Sequence, residues 1–288
     1  MDSGNRAEHR KPQRGWADRK ANPLKMRQLK IGELDESGPW VLSETMCSVR
    51  RVEFLTRANS ILGFYYVIAG TSETGFNATE AFAKEKKFKA STAIRLGMGG
   101  TSITVNYGKF RKVWQTTQSY LTNQVFLMVY GNFEAYLADL VMDGLKEIEP
   151  DGDTHDDALD LLVGRKWEGK IASVDHRLSI GLKGTLLRDW FKDVAMEFLG
   201  TKCSQPMDFL EKVSDLRDRV VHYGSRVDTR LADEYPDAGL KVGEDIRFPF
   251  EMPLQFNFFL AHLSDLVDEA FCQRFGWARS PVRPETLV

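Results

Sequence analysis

Leu216-Arg217-Asp218-Arg219-Val220-Val221-His222-Tyr223-Gly224 closes a segment with helical periodicity, and its chemistry is unusual for the end of a helix. Upstream, Pro206 suits a first helical turn. Leu210, Val213, Leu216 and Val220 recur at helical spacing, and Gly224 terminates the run. Arg217 follows Val213 by four residues and therefore sits at the apolar stripe, where a guanidinium is costly unless a carboxylate or a phosphate meets it. His222 lies beyond it by roughly 140° around the axis and about 7.5 Å along it. One helix does not easily direct both at one phosphate. Asp218 precedes His222 by one helical turn on the same face, where its carboxylate can orient the imidazole and favour its protonated form. The stretch reads as an anion-binding arginine with a tuned histidine.

Working outward, residues 109–148 form a nearly continuous helix, apolar on most sides from Val125 onward, as a central buried helix should be. Within it Glu134 needs a cation, and Arg217 and Arg219 are the candidates. A structural ion pair holding the motif helix to the core is the simpler role for Glu134, beside a direct part in catalysis. Residues 252–276 carry Phe256, Phe259, Leu260, Leu263, Leu266, Val267, Ala270 and Phe271 at helical spacing. Further helices are expected over 43–70, ended by Gly70, and over 166–182 and 184–199. The last of these sets Leu186, Leu187, Trp190, Val194 and Phe198 on one face.

The insert 71–106 should hold a helix near 79–96 and a turn at Gly97-Met98-Gly99-Gly100, which lacks the lysine of a phosphate-binding loop. The acidic run 149–160 reads as a solvated loop, because Asp156 and Leu162 stand where a calcium loop needs Gly and Glu. Residues 227–250 read as a structured loop over the end of the motif helix. The domain organisation is thus a basic flexible tail over 1–42, an all-α domain over 43–278 with core helices about 109–148, 184–224 and 252–276, and a C-terminal tail over 279–288.

With 288 residues, 42% hydrophobic and 11% aromatic, the chain can bury a sizeable core. A formal net charge of -2 gives no overall attraction to polyanions, so a nucleic-acid site has to be a local patch. The N-terminus is basic, with Arg6, Arg10, Lys11, Arg14, Arg19 and Lys20 among its first residues. It reads as a disordered tail, with an RNA-attracting arm as the alternative. Cys47, Cys203 and Cys272 are odd in number and widely spaced, which suits a reduced cytoplasmic setting and calls for no metal or other cofactor. The apolar run at 125–130 is too short to span a bilayer, so no membrane association is expected. His9, His176 and His262 have no partner at ligand spacing and read as surface or core-edge residues.

Arg217-Asp218-Arg219-Val220-Val221-His222 resembles the Arg, polar residue, three variable residues, His signature of HEPN domains, compact helical proteins that include many ribonucleases of toxin-antitoxin and antiphage systems. Gly224-Ser225-Arg226-Val227-Asp228, Lys241-Val242-Gly243-Glu244-Asp245-Ile246 and the last apolar helix are similar to the RiboL-PSP-like branch of that superfamily. So is the stretch 124–145 with Tyr130-Gly131-Asn132-Phe133-Glu134-Ala135-Tyr136-Leu137, and the resemblance covers roughly residues 120–275.

The resemblance implies a HEPN-type helical bundle and metal-independent endoribonuclease chemistry, in which the 2'-OH of RNA attacks the adjacent phosphate. Arg217 and His222 would be catalytic, Asp218 would orient His222, and Glu134, Arg219 and Tyr223 would support them. It also implies a homodimer whose two motifs face one cleft, RNA as the substrate, and a cognate inhibitor or antitoxin protein. Asp218 stands where Asn is commoner in the family. In some toxins a tyrosine two residues after the histidine is modified, but here Tyr223 follows His222 directly and Gly224 takes that place. A non-catalytic helical binding or scaffold module is the alternative expectation, and it shares the fold.

Overall fold

Ser48 sets the start of the fold: its backbone is extended and its side chain accepts a hydrogen bond from the Arg51 amide, capping α1 (Val49–Glu85). In this computed structural model, residues 45–98, 101–183, 196–198, 201–203, 206–222, 225–246, 248 and 252–282 are described. Just before the cap, β1 (Thr45–Cys47) runs antiparallel to the far end of the chain. After α1 a hairpin of β2 (Ala93–Met98) and β3 (Thr101–Asn106) leads into α2 (Tyr107–Ile148), which Asn106 caps by accepting from the Lys109 amide. Then come α3 (Thr154–Leu162), α4 (Trp167–Leu178), a small hairpin of β4 (Met196–Phe198) and β5 (Thr201–Cys203), and the motif helix α5 (Pro206–His222). A short α6 (Thr229–Glu234) and a 3-10 turn (Pro236–Ala238) precede α7 (Met252–Phe275) and β6 (Ser280–Val282), the partner of β1. The protein is all-α: among the described residues every sheet is a two-stranded ribbon at the margin of the helices.

The core forms around α2, which packs against α1, α3, α4 and α7. Val125, Phe126, Val129, Phe133, Leu140 and Val141 are fully buried on it. α7 contributes Phe256, Phe259 and Phe271, α1 contributes Phe54, Leu62 and Tyr65, and α5 contributes Leu210, Val213 and Leu216. Each such side chain is worth roughly 1.5–3 kcal/mol of transfer free energy. Phe126 and Phe256 meet with ring centroids 5.3 Å apart, and Phe209 meets Phe259 edge to face at 4.7 Å, so α2, α5 and α7 share one aromatic seam. Gly144 is required where α2 and α7 approach, since a Cβ there would lie 2.9 Å from the Phe275 ring. α2 is long and apolar enough to cross a membrane by composition, and its place here is the centre of this packing.

A buried polar knot fastens the N-terminal end of α1 to α7. Asp268, fully buried, accepts from the Ser48 amide at 3.0 Å, from the Ser48 hydroxyl and from Arg279 at 3.1 Å. Arg51, 1% exposed, pairs with Asp265 at 2.8 Å and donates to the Ser264 hydroxyl and the Met46 carbonyl. Charges this deep persist only because each finds an opposite charge and further hydrogen bonds.

Several expectations are corrected. The first helix does not begin at residue 43, because 45–47 is a strand, and it does not stop at Gly70 but runs on to Glu85. An interior glycine costs only about 1 kcal/mol, and the distal half of α1 is held by packing against α2 through pairs such as Phe76 and Trp114, stacked at 3.8 Å. The helix expected over 79–96 ends early: Thr101-Ser102-Ile103-Thr104-Val105 alternates with period two and draws Ala93–Met98 into a hairpin. The acidic run is a loop only to Asp153. Thr154, Ala158 and Leu162 share one buried face of α3, and Asp156 and Asp157 favour its N-terminal turn.

A continuous core segment over 184–224 is interrupted by the β4–β5 hairpin, so the helix placed over 184–199 does not extend through Met196–Phe198; residues 184–195 lie outside the described set. The expected tail 279–288 begins instead with a paired strand. The tail over 1–42 lies outside the described residues. Within the loop expected over 227–250, the Val227 amide donates to the Glu244 carbonyl and the Gly243 amide to the Val227 carbonyl, and Arg226 bridges to Asp245.

Candidate functional site

α5 is amphipathic with Leu210, Val213 and Leu216 buried, and this inward stripe carries Arg217 to the edge of the core beside α2. There the Arg217 guanidinium donates to Glu134 Oε2 at 2.7 Å and to Asp218 Oδ1 at 2.7 Å. It also lies 4.9 Å from the Tyr130 ring centroid, a cation–π distance. Its side chain is 26% exposed, so it is neither sealed in the core nor loose in water. Burial works against its charge, but Glu134, Tyr130 and Asp218 together outweigh that and hold its pKa above the usual arginine value.

The other Glu134 oxygen faces Lys170 of α4 at 3.3 Å, and the Lys170 ammonium sits 4.7 Å from the Trp167 ring. Trp167 in turn donates its indole N–H to the Tyr130 hydroxyl at 3.0 Å. Burial, then the charge of Glu134, pushes the Tyr130 phenol up to about 12, which keeps it neutral and able to donate. Three helices thus meet at one carboxylate, with a cation on each side of it. Lys170, Trp167 and Tyr130 were not singled out in the sequence, although Trp167 and Lys170 stand one turn apart at the start of α4 and Tyr130 one turn before Glu134. No local signal says which helices face each other.

Of the two cations offered for Glu134, Arg217 takes it. Arg219, buried, turns to the opposite side, where it meets Asp215 at 3.1 Å and Asp228 at 2.7 Å. Asp228 also caps α6 by accepting from the Leu231 amide, and this bond, joined by Arg219, draws its carboxyl below the usual range against the opposing effect of burial. Arg219 therefore pins the motif helix to the loop that follows it. His222, the last residue of α5, is exposed. Asp218 does not orient it: among the described residues no hydrogen bond or ion pair joins them, because the Asp218 carboxylate turns back onto Arg217. Tyr223 and Gly224 lie outside the described residues.

Beside Arg217 opens a polar cleft of about 540 Å³ that contains Lys170, Lys212, Ser214 and Arg230 together with Asp208, Asp215 and Asp218. An apolar cavity of about 340 Å³ between α2, α3 and α4, lined by Leu137, Leu159, Leu162 and Trp167, also reaches Arg217 and Glu134. The guanidinium thus borders both. Chemically the site offers a fixed, partly desolvated cation with a counter-charge and, one and a half turns on, an exposed imidazole. Among the described residues no three His, Cys, Asp or Glu side chains gather in a way that could hold a metal ion. The chain matches no protein-family model, no curated protein and no solved structure.

Proposed function

We propose that the chain is a metal-independent endoribonuclease of the HEPN type, acting as a toxin or antiphage-defence effector. The observation that carries the reading is the state of the two motif residues on α5: Arg217 is held in place yet partly open to a polar cleft, and His222 is exposed at the helix end. In the reaction the 2'-oxygen attacks phosphorus as its proton passes to a base, the bond from phosphorus to the 5'-oxygen breaks, and that oxygen takes a proton. The products are a 2',3'-cyclic phosphate and a 5'-hydroxyl. His222 supplies proton transfer, and Arg217 supplies positive charge for the phosphate oxygens. Because the two diverge on one helix, the working site draws on two chains in a homodimer.

The test is cleavage of an end-labelled RNA in EDTA by the purified chain. Cyclic phosphate ends that vanish with His222→Ala support the reading. An inactive wild-type chain, or an unchanged His222→Ala variant with the same circular dichroism spectrum, sinks it.

A second reading, a non-catalytic binding or scaffold module, has its own observation: both terminal nitrogens of Arg217 already rest on carboxylates. In that case Arg217 serves only to fasten α5 to α2. Glu134→Gln separates the two, because it removes one of the two carboxylates that hold the guanidinium. Altered cleavage favours the enzyme, and lost stability without any cleavage favours the module.

A further inference from the structure

The α1–α2 hairpin continues well past the core. Apart from Ala83 at its far end, no residue of α1 beyond Ala69 is buried, and in α2 burial begins only at Thr122. At 1.5 Å per residue this leaves an arm about 20–25 Å long. Its tip is built, not frayed. The Phe88 amide closes the end of α1 on the Ala83 carbonyl at 2.8 Å, with Lys87 in the left-handed conformation (φ 53°). Phe88 packs edge to face on Phe82 and on Tyr107, and the Tyr107 hydroxyl donates to Glu80 at 2.6 Å. The amides of Tyr107 and Gly108 bond to the carbonyls of Thr92 and Ala90, which locks the hairpin to the start of α2.

This tip gathers positive charge. Residues 84–112 hold eight Lys or Arg and a single carboxylate, Glu85, in a chain of net charge -2. Lys86 pairs with Glu85 and Arg111 with Glu80, and Arg95 donates to Ser102. The ammonium groups of Lys84, Lys87, Lys89, Lys109 and Lys112 are exposed and make no ion pair among the described residues. Phe82, 51% exposed, presents an aromatic ring among them, with the Lys86 ammonium 5.9 Å from its centroid.

We propose that the tip of this arm, formed by the end of α1, the β2–β3 hairpin and the first turns of α2, binds the phosphate backbone of single-stranded RNA away from the cleavage site. The inference rests on the reading of the chain as an RNA-directed enzyme and adds to it a second binding surface. Five uncompensated cations on a rigid support attract a polyanion by counterion release, and an exposed aromatic among them gives a base something to stack on.

The placement suits one strand reaching both sites. On α2, Glu134 holds Arg217, and Asn123 donates to Ser225 and to the Ile246 carbonyl, just beyond His222. From Arg217 to Ser225 the motif therefore runs along α2 toward the arm. Lys112 stands a further 16 Å or so along the same helix from Asn123, a few nucleotides away. A lipid surface fits less well: among the described residues the large apolar side chains exposed at the tip are Phe82, Ile103 and Val113, one on each element, and they form no continuous apolar face of the kind that membrane binding requires.

The experiment uses the full chain carrying His222→Ala, so that binding is read without cleavage. Fluorescence anisotropy of a labelled oligouridylate is followed through a potassium chloride series. Replacing Lys84, Lys87, Lys89, Lys109 and Lys112 by Gln should weaken binding at least about tenfold and flatten the logarithmic salt slope by about 3.5, at roughly 0.7 for each phosphate no longer neutralised. The same five positions changed to Arg should keep both affinity and slope. Unchanged affinity and slope in the Gln variant overturn the proposal, as does equal loss in the Arg variant. Absence of RNA binding by the parent chain, including the case where it attaches instead to phosphatidylserine vesicles, overturns it as well. Binding that behaves as stated in a chain that never cleaves RNA would retire the ribonuclease reading alone, and cleavage with no effect of the five changes on binding would retire only the arm.

Discussion

Arg217 on the motif helix and Glu134 on the central helix meet at 2.7 Å, and this pairing joins the motif helix to the helix at the centre of the core. Both side chains are about three-quarters buried, so removing either leaves the other short of a partner in a partly dry place. Lys170 on the far side of Glu134 softens the loss of Arg217, since the carboxylate keeps one cation.

Arg217→Ala should therefore cost about 1–3 kcal/mol of unfolding free energy. His222→Ala, at an exposed helix end, should stay within about 0.5 kcal/mol of wild type. Urea unfolding followed by circular dichroism measures both. Equal stabilities would mean that the Arg217–Glu134 pair does not hold α5 to α2.

The knot around Asp268 makes a stronger demand. Asp268→Ala strands the Ser48 amide and hydroxyl and deprives Arg279 of one of its two carboxylates, and it should cost about 3–5 kcal/mol. Amide hydrogen exchange should show faster opening at the start of α1 and at the end of α7 than in the middle of α2. A change below about 1 kcal/mol would show that the buried charge is dispensable.

His262 on α7 is pushed down to about 4, first of all by burial, with Arg51 adding to the effect and Asp265 opposing it. Its folded value lies below the ordinary histidine value near 6.5, so the unfolded chain takes up the proton first. The stability from keeping this ring neutral is complete above about pH 6.5 and is lost as pH falls toward 4. Unfolding midpoints measured through that window should fall less steeply for His262→Asn than for wild type, and parallel curves would refute the assignment.

The composite site predicted by the proposed function is open to a mixing test. Chains with Arg217→Ala and chains with His222→Ala, each inactive alone, should recover RNA cleavage as heterodimers that keep one intact Arg217 and one intact His222. Recovery need not be complete, since one cation fewer still weakens stabilisation of the transition state. Confirmed heterodimers with no activity above either parent, or light scattering that finds only active monomers, would refute the two-chain site.

How far the sequence reached differs from element to element. The bounds of α2, α5 and α7 were readable because their apolar residues repeat every three to four positions against one continuous core, a local pattern with a local cause. That Glu134 must find a cation followed from its apolar helical neighbours alone. Which cation it finds did not: Arg217 and Arg219 are two residues apart, and only the rotation of α5 against α2 turns the first to Glu134 and the second to Asp215 and Asp228.

The helical spacing of Asp218 and His222 allowed an interaction that is not made, because the Asp218 carboxylate accepts from its chain neighbour Arg217. The passage of α1 through Gly70, the β1–β6 ribbon that joins the two ends of the described chain, and the knot at Asp268 all depend on partners far away in sequence. That the chain is helical, where its central helices run and that Glu134 needs a counter-charge are legible in the residues alone, because these follow from periodicity and from the cost of burying charge. Which charges meet is not, because ion pairing depends on distances of a few ångströms between helices whose mutual rotation no local pattern encodes.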